Sequence, residues 1–338
     1  MMRSKIRLVI IFTLLSSRAF SQEVVLFKST EPISLRATGS IKSIKKNSND
    51  STLVAGKFEY QHGDEWITVP VSTRVRGNFR LKNCYFPPLK LKFKKQQAAS
   101  TVFEGNKSLK LVMPCKNTSD KDKLIRREYL CYKFYQALSP YYFNTRLATF
   151  ELTEVSRKKP RTYTMLTFFV EDNSLVAKRT GGVVTEVKGV GPGAFEEKQS
   201  VRNDFFQFMI GNADWSAVYQ HNSNTLVVNK KLIPLSYDFD MSGFVNAAYA
   251  QAKPTELGTG DVRERVYRGF CKSKPVMQEV REEFLQKESL LYSIIDQHAE
   301  HFRDYDMRDM KGYLKSFFDI LRKDHSFQQS IVEQCRTK

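Results

Sequence analysis

The hydrophobic rhythm of the chain changes along its length. Up to about Lys95, apolar and polar residues alternate: Leu53-Val-Ala-Gly-Lys-Phe-Glu-Tyr60 and Trp66-Ile-Thr-Val-Pro-Val71 flank the polar turn Gln61-His-Gly-Asp64. That period of two predicts strands with one buried face. Lys42–Ser51 reads as a polar, basic loop, and Val71-Ser-Thr-Arg-Val-Arg76 runs to a Gly77-Asn78 turn. Alternation returns in Leu89-Lys-Leu-Lys-Phe93 and Leu109-Lys-Leu-Val112, which sets Lys90, Lys92 and Lys110 opposite their apolar neighbours. The period then becomes helical. Leu124, Glu128, Cys131, Tyr135 and Leu138 fall on one face and predict a helix over 122–138, stopped before Pro140. Strands are expected at Leu147–Val155 and Thr162–Val170, a Gly-rich loop over Lys178–Lys198, and helices from Ser200 and across Lys274–Cys335. The expected fold class is α+β, with a β-rich N-terminal half holding one long helix and a mostly helical C-terminal half.

Residues 1–21 read as a signal peptide. Arg3, Lys5 and Arg7 precede the apolar run Leu8–Leu15, and Ala19-Phe20-Ser21 supplies a small-x-small cleavage site. No later run is long and apolar enough for a span, so no transmembrane segment is expected after cleavage. The formal charge of +18 invites a nucleic-acid reading. Cleavage leaves 50 basic against 36 acidic residues, a formal +14, and a secreted or periplasmic chain rarely meets nucleic acid. Acidic envelope components are the expected anionic neighbours. An oxidising compartment allows disulfides among Cys84, Cys115, Cys131, Cys271 and Cys335. Spacing does not determine connectivity; Cys84 with Cys115 and Cys271 with Cys335 is the working expectation, leaving Cys131 buried on the helix.

The candidate chemistry lies in acids placed where acids are costly. Asp238 and Asp240 stand in the strand-like run Ile233-Pro-Leu-Ser-Tyr-Asp-Phe-Asp-Met-Ser-Gly243, and Glu128 lies within the apolar helix stripe. Each needs a cation or a donor. A calcium loop starting at Asp238 fails because Tyr249 occupies the twelfth position, where a bidentate acid belongs. A nucleotide–magnesium site suits the pattern better. Asp214 is placed to orient an attacking hydroxyl, Asn222 or Asn224 to hold metal, and Asp238 to hold it too. Glu128 would then pair with a strand lysine that holds phosphates, and Lys90, Lys92 and Lys110 compete for that role. The lone histidines His298, His301 and His325 read as surface helix residues.

These segments carry a resemblance. Arg74-Val-Arg-Gly-Asn-Phe-Arg80 followed by Pro87-Pro-Leu-Lys-Leu-Lys-Phe93 resembles the opening of the spore-coat CotH kinase family. Thr167-Phe-Phe-Val-Glu-Asp172 is similar to its hinge. Gly211-Asn-Ala-Asp214, His221-Asn222 and Tyr237-Asp-Phe-Asp240 are similar to its catalytic and metal segments. The resemblance covers roughly residues 70–245 and implies an atypical protein-kinase-like fold of two lobes, here 22–170 and 171–338. It implies ATP and Mg²⁺ (or Mn²⁺) as cofactors and a protein substrate, the chain itself included. Asp214 would be catalytic, Asn222 and Asp238 metal ligands supported by Asp240, and Glu171 would meet the nucleotide. The chain departs from the pattern in having no Gly-x-Gly-x-x-Gly loop near its N-terminus, since Gly189-Val-Gly-Pro-Gly193 follows the hinge and lacks a P-loop lysine. That departure leaves an alternative: a non-catalytic envelope module on the same fold, holding acidic glycans or lipid headgroups.

Overall fold

A computed structural model describes residues 24–47, 52–155, 159–250 and 261–337. The expected signal peptide lies outside the described residues. Seven strands close on themselves: β1 (Ile33–Gly39), β2 (Val54–His62), β3 (Glu65–Val75), β4 (Leu89–Lys92), β5 (Ser108–Val112), β6 (Thr145–Glu154) and β7 (Arg161–Val170). Their order around the barrel is β1-β2-β3-β4-β5-β7-β6. Every neighbouring pair is antiparallel except β1 and β6, which run parallel from Ile33↔Ala148 to Gly39↔Glu154 and close the ring. Short helices α1 (Ile41–Asn47), α2 (Asn78–Asn83) and α3 (Lys95–Ala98) fill the connections. α1 stands where the sequence predicts a loop.

This closure overturns the two-lobe protein-kinase-like expectation. Such a lobe would be an open sheet, whereas here β1 pairs with both β2 and β6 and no strand is left as an edge. The α and β content is as expected, but the architecture is a closed barrel with helices in the C-terminal part.

Two cores follow from this geometry. Inward-pointing Leu35, Phe58, Tyr60, Leu91, Leu109, Leu111, Phe150 and Phe169 fill the barrel. The second core lies outside it, around α4 (Lys121–Leu138). β7 explains the junction. Its run Met165–Val170 is buried throughout, because Met165 and Phe169 face the barrel interior while Phe168 and Val170 face α4 and its neighbours. Beyond β7, α5 (Asn173–Thr180), capped by Asp172 through the Ser174 amide, leads to β8 (Val183–Thr185) and α6 (Glu197–Ile210). A small sheet pairs β8 with β9 (Ser223–Val228) and β9 with β10 (Lys231–Ser236). Helices α7 (Lys274–Gln286), α8 (Glu288–Asp296) and α9 (Asp304–Arg322) complete the second core.

The disulfides are Cys84–Cys115 and Cys271–Cys335, with Cys131 free and buried. Both are compatible with an extracellular or periplasmic chain. Among the described residues, no helix is long and apolar enough to cross a membrane.

Candidate functional site

Strand register assembles the first half of the site. Arg74 on β3 lies opposite Lys90 on β4, and Lys90 lies opposite Lys110 on β5. Three cations therefore cross three strands in one row, a pairing that destabilises a sheet unless anions face it. Lys92 pairs instead with Ser72 and Ser108 and is exposed. At the end of the row, Lys110 buries its Nζ with no hydrogen-bond partner among the described residues. The ammonium rests against the ring of Tyr237 at 3.6 Å and that of Phe143 at 5.1 Å. Burial drives its pKa well down, Arg76 adds to this, and Asp238 and Asp172 oppose it.

The C-terminal part supplies the acids. Gly211 ends α6 in the left-handed region at φ 63°, which turns the chain toward Asp214. A buried amide chain then places that loop. The Gln207 amide donates to Ser236 Oγ at 2.9 Å, Asn212 donates to Gln207 Oε1 at 2.9 Å, and the Asp214 amide donates to Asn212 Oδ1 at 3.0 Å. Arg268 also donates to the Ala213 carbonyl. Asn222 gives its side-chain NH₂ to the Asp214 carbonyl at 2.8 Å and to Asp214 Oδ2 at 3.1 Å, leaving its Oδ1 as the acceptor end. His221 Nε2 lies 2.9 Å from Asp214 Oδ1. The Tyr237 amide donates to the Asn222 carbonyl at 3.0 Å, which joins this group to Asp238. Asp214, Asn222, Asp238 and Lys110 are thus linked through direct contacts with one another and with Tyr237.

Asp238 is not on a strand as the sequence predicts. β10 stops at Ser236, and Asp238 turns into the left-handed region at φ 65°, its amide donating to Tyr132 Oη. Asn222 is left-handed too, at φ 47°. Two non-glycine residues held this way, both in the candidate site, are backbone conformations that the surroundings must maintain. The side chains of Asp238 and Asp214 keep 33% and 31% of their exposure, enough for a ligand to reach them.

Glu128 corrects another expectation. It is buried, as its place in the stripe requires, but its partner is Arg80 rather than a strand lysine. Arg80 Nη2 meets Glu128 Oε1 at 3.6 Å, Asp240 Oδ1 at 2.8 Å and, most closely, Asp238 Oδ1. Its guanidinium is therefore the cation among the acids for which the sequence suggests a metal. Burial raises the Glu128 pKa well above the usual range against the pull of Arg80. The same balance pushes Asp240 up to about 6, with Tyr249 hydrogen-bonded beside it. Among the described residues no group of three or more His, Cys, Asp or Glu side chains suits a metal ion. Glu171 sits apart: its carboxylate accepts from the Asn144 amide at 2.9 Å and pairs with Arg179 at 3.1 Å, deeply buried.

Sequence reasoning missed Arg80 as a site residue, although it lies in the quoted Arg-Gly-Asn-Phe-Arg stretch. It also missed Asn203, Gln207 and Ser236, whose buried amide and hydroxyl groups interrupt otherwise apolar runs. No family model, no curated protein and no solved structure matches this chain, so the CotH resemblance is carried by its short motifs alone.

Proposed function

We propose that the cleft between the barrel and the C-terminal part binds a phosphate-bearing nucleotide and serves phosphoryl transfer to a hydroxyl of a protein, itself included. The observation that carries this reading is the in-register pair Lys90 and Lys110, ending on a buried ammonium that has no hydrogen-bond partner among the described residues. Such a pair suits a polyanion, and the acids Asp214 and Asp238 beside it separate a transfer site from a plain anion trap. Asp238, which Arg80 already contacts, and Asn222 Oδ1 are the groups that would hold a hydrated Mg²⁺, which takes one or two carboxylates and keeps waters. Bound there, Mg²⁺ would supply charge neutralisation on the transferring group. Lys110 and Lys90 hold phosphate oxygens, and Asp214, steadied by Asn222 and His221, accepts the hydrogen bond of the acceptor hydroxyl.

One observation favours a second reading. Arg80 already neutralises Asp238 and Asp240, which suits a module that holds acidic glycans or lipid headgroups without chemistry. Both readings meet in one experiment on the purified full chain. With ATP and Mg²⁺ or Mn²⁺, labelled phosphate is expected in protein, and Asp214→Asn should lower incorporation at least 100-fold. Lys110→Met should remove the gain in melting temperature that ATP·Mg²⁺ confers. Absence of incorporation together with equal stabilisation by salt-matched polyanions refutes the transfer reading and leaves the module.

A further inference from the structure

A cavity of about 570 Å³ opens elsewhere, between the segment before β1, the outer side of α4, and α8 with the turn after it. Its chemistry is divided. Leu290, Ile294, Ala137 and Leu147 make one apolar wall, while Arg126, Lys133, His298 and His301 supply cationic or protonatable groups. Arg126 is buried at 8% exposure, yet among the described residues no carboxylate lies within ion-pair reach of it. Its Nη1 faces only a ring nitrogen, His298 Nδ1, at 3.3 Å. A buried guanidinium facing an imidazole is a poor final arrangement, since each group disfavours charge on the other. Lys133 Nζ lies 5.2 Å from the Tyr129 ring, and the His298 ring packs edge-on against that ring from another side. The local acids are exposed: Asp122, one turn before Arg126 on α4 and attracting its charge, Glu300, 3.3 Å from His301, and Glu31 at the rim.

We propose that this cavity is a second ligand site, taking a phosphate monoester carried on an apolar group. Arg126 and Lys133 balance the dianion, and the Leu290–Ile294 wall takes the apolar body. His298 then acquires the anion it lacks. Its pKa is held down to about 4 by burial and by Arg126, His301 and Lys133. Around it stand Arg126, Tyr129 and Lys133 from α4 and Glu300 and His301 from the turn, with Glu31 at the rim. A bound dianion opposes those cations, so His298 should titrate higher when the site is filled.

The full chain has five histidines, so imidazole NMR signals report this site locally. Titration with naphthyl phosphate should shift the His298 and His301 signals saturably and raise the His298 midpoint. Arg126→Gln should weaken binding at least tenfold, and Lys133→Gln, a milder change on a partly exposed side chain, should weaken it several-fold if Arg126→Gln does not fold. Phosphatidic acid vesicles separate the possible sources. Pelleting that needs Lys133, with no response to the soluble ester, assigns the same phosphate chemistry to a lipid headgroup. Imidazole signals unmoved at millimolar ester without Lys133-dependent pelleting, or shifts undiminished in both variants, overturn the proposal.

Discussion

Arg80 is the sharpest point at which to test the electrostatics of the cleft. One guanidinium nitrogen faces three carboxylates, of Asp238, Asp240 and Glu128, and two of those are almost fully buried. Replacing it by methionine keeps much of the volume and removes the only cation among the described residues in contact with all three. Removing one partner of a buried ion pair costs about 3–5 kcal/mol. Its pH dependence distinguishes this loss from lost packing. Asp240 already titrates near 6 in the folded chain against a reference value of 3.8. A folded pKa above the unfolded one means the native state binds the proton more tightly. Stability therefore falls as pH rises from the unfolded value to the folded one, by about 3 kcal/mol for a shift of roughly two units. Without Arg80, Asp240 and Glu128 titrate still higher, and the fall continues beyond pH 6. Urea unfolding of Arg80→Met should thus show a loss of about 3–5 kcal/mol at pH 8 that shrinks by at least half at pH 5. Adding Glu128→Gln should recover about 1 kcal/mol or more at pH 8. Equal losses at both pH values, or no recovery in the double variant, would refute the charge argument and leave only packing.

Two further outcomes follow from features outside that cluster. Burial pushes Asp204 up to about 7, with Asn203, Lys272 and Arg336 opposing; its stabilising proton is lost as pH rises from about 4 to 7, so Asp204→Asn should gain roughly 2–4 kcal/mol at pH 8 and little at pH 5 in urea unfolding. A gain that is larger at pH 5 contradicts this. Gly243, whose amide donates to the Gly211 carbonyl at 3.0 Å, leaves no room for a methyl group: a Cβ there would stand 2.6 Å from the Val262 carbonyl and 3.1 Å from Arg263 Cα. Gly243→Ala should cost about 1–3 kcal/mol in thermal unfolding, and an unchanged melting temperature would show that the loop yields freely.

The strands and the long helix were legible because their periods are local. Leu89–Phe93, Leu109–Val112 and the stripe from Leu124 to Leu138 each place their apolar residues by the geometry of one element. Barrel closure was not legible, since Ile33-Ser-Leu-Arg-Ala-Thr-Gly39 says nothing of a partner more than a hundred residues away. The acids were identifiable by their cost, but their partner was not. Arg80 reads as one more surface charge in a basic segment, and only the fold brings it to Asp238, which lies 158 residues further along. The expected strand through Asp238 failed for a related reason: alternating Tyr237, Phe239 and Met241 mimic a strand in a turn held by Tyr132 and Asn222. His298 misled in the opposite direction, since a polar residue at a helix end gives no sign of the arginine beside it.

The parallel pairing of β1 with β6 also bears on how the chain comes together in time. A protein emerging N-terminus first exposes β1 long before Ala148 and its neighbours exist to receive it. In that interval β1 to β5 can form only an open meander with one free margin on β1 and another on β5. The ladder joining β1 to β6 therefore pairs the oldest segment with a much younger one, a long-range step that slows folding. A chaperone that shelters the β1 margin until β6 arrives would act while this otherwise edgeless barrel is open to a foreign strand.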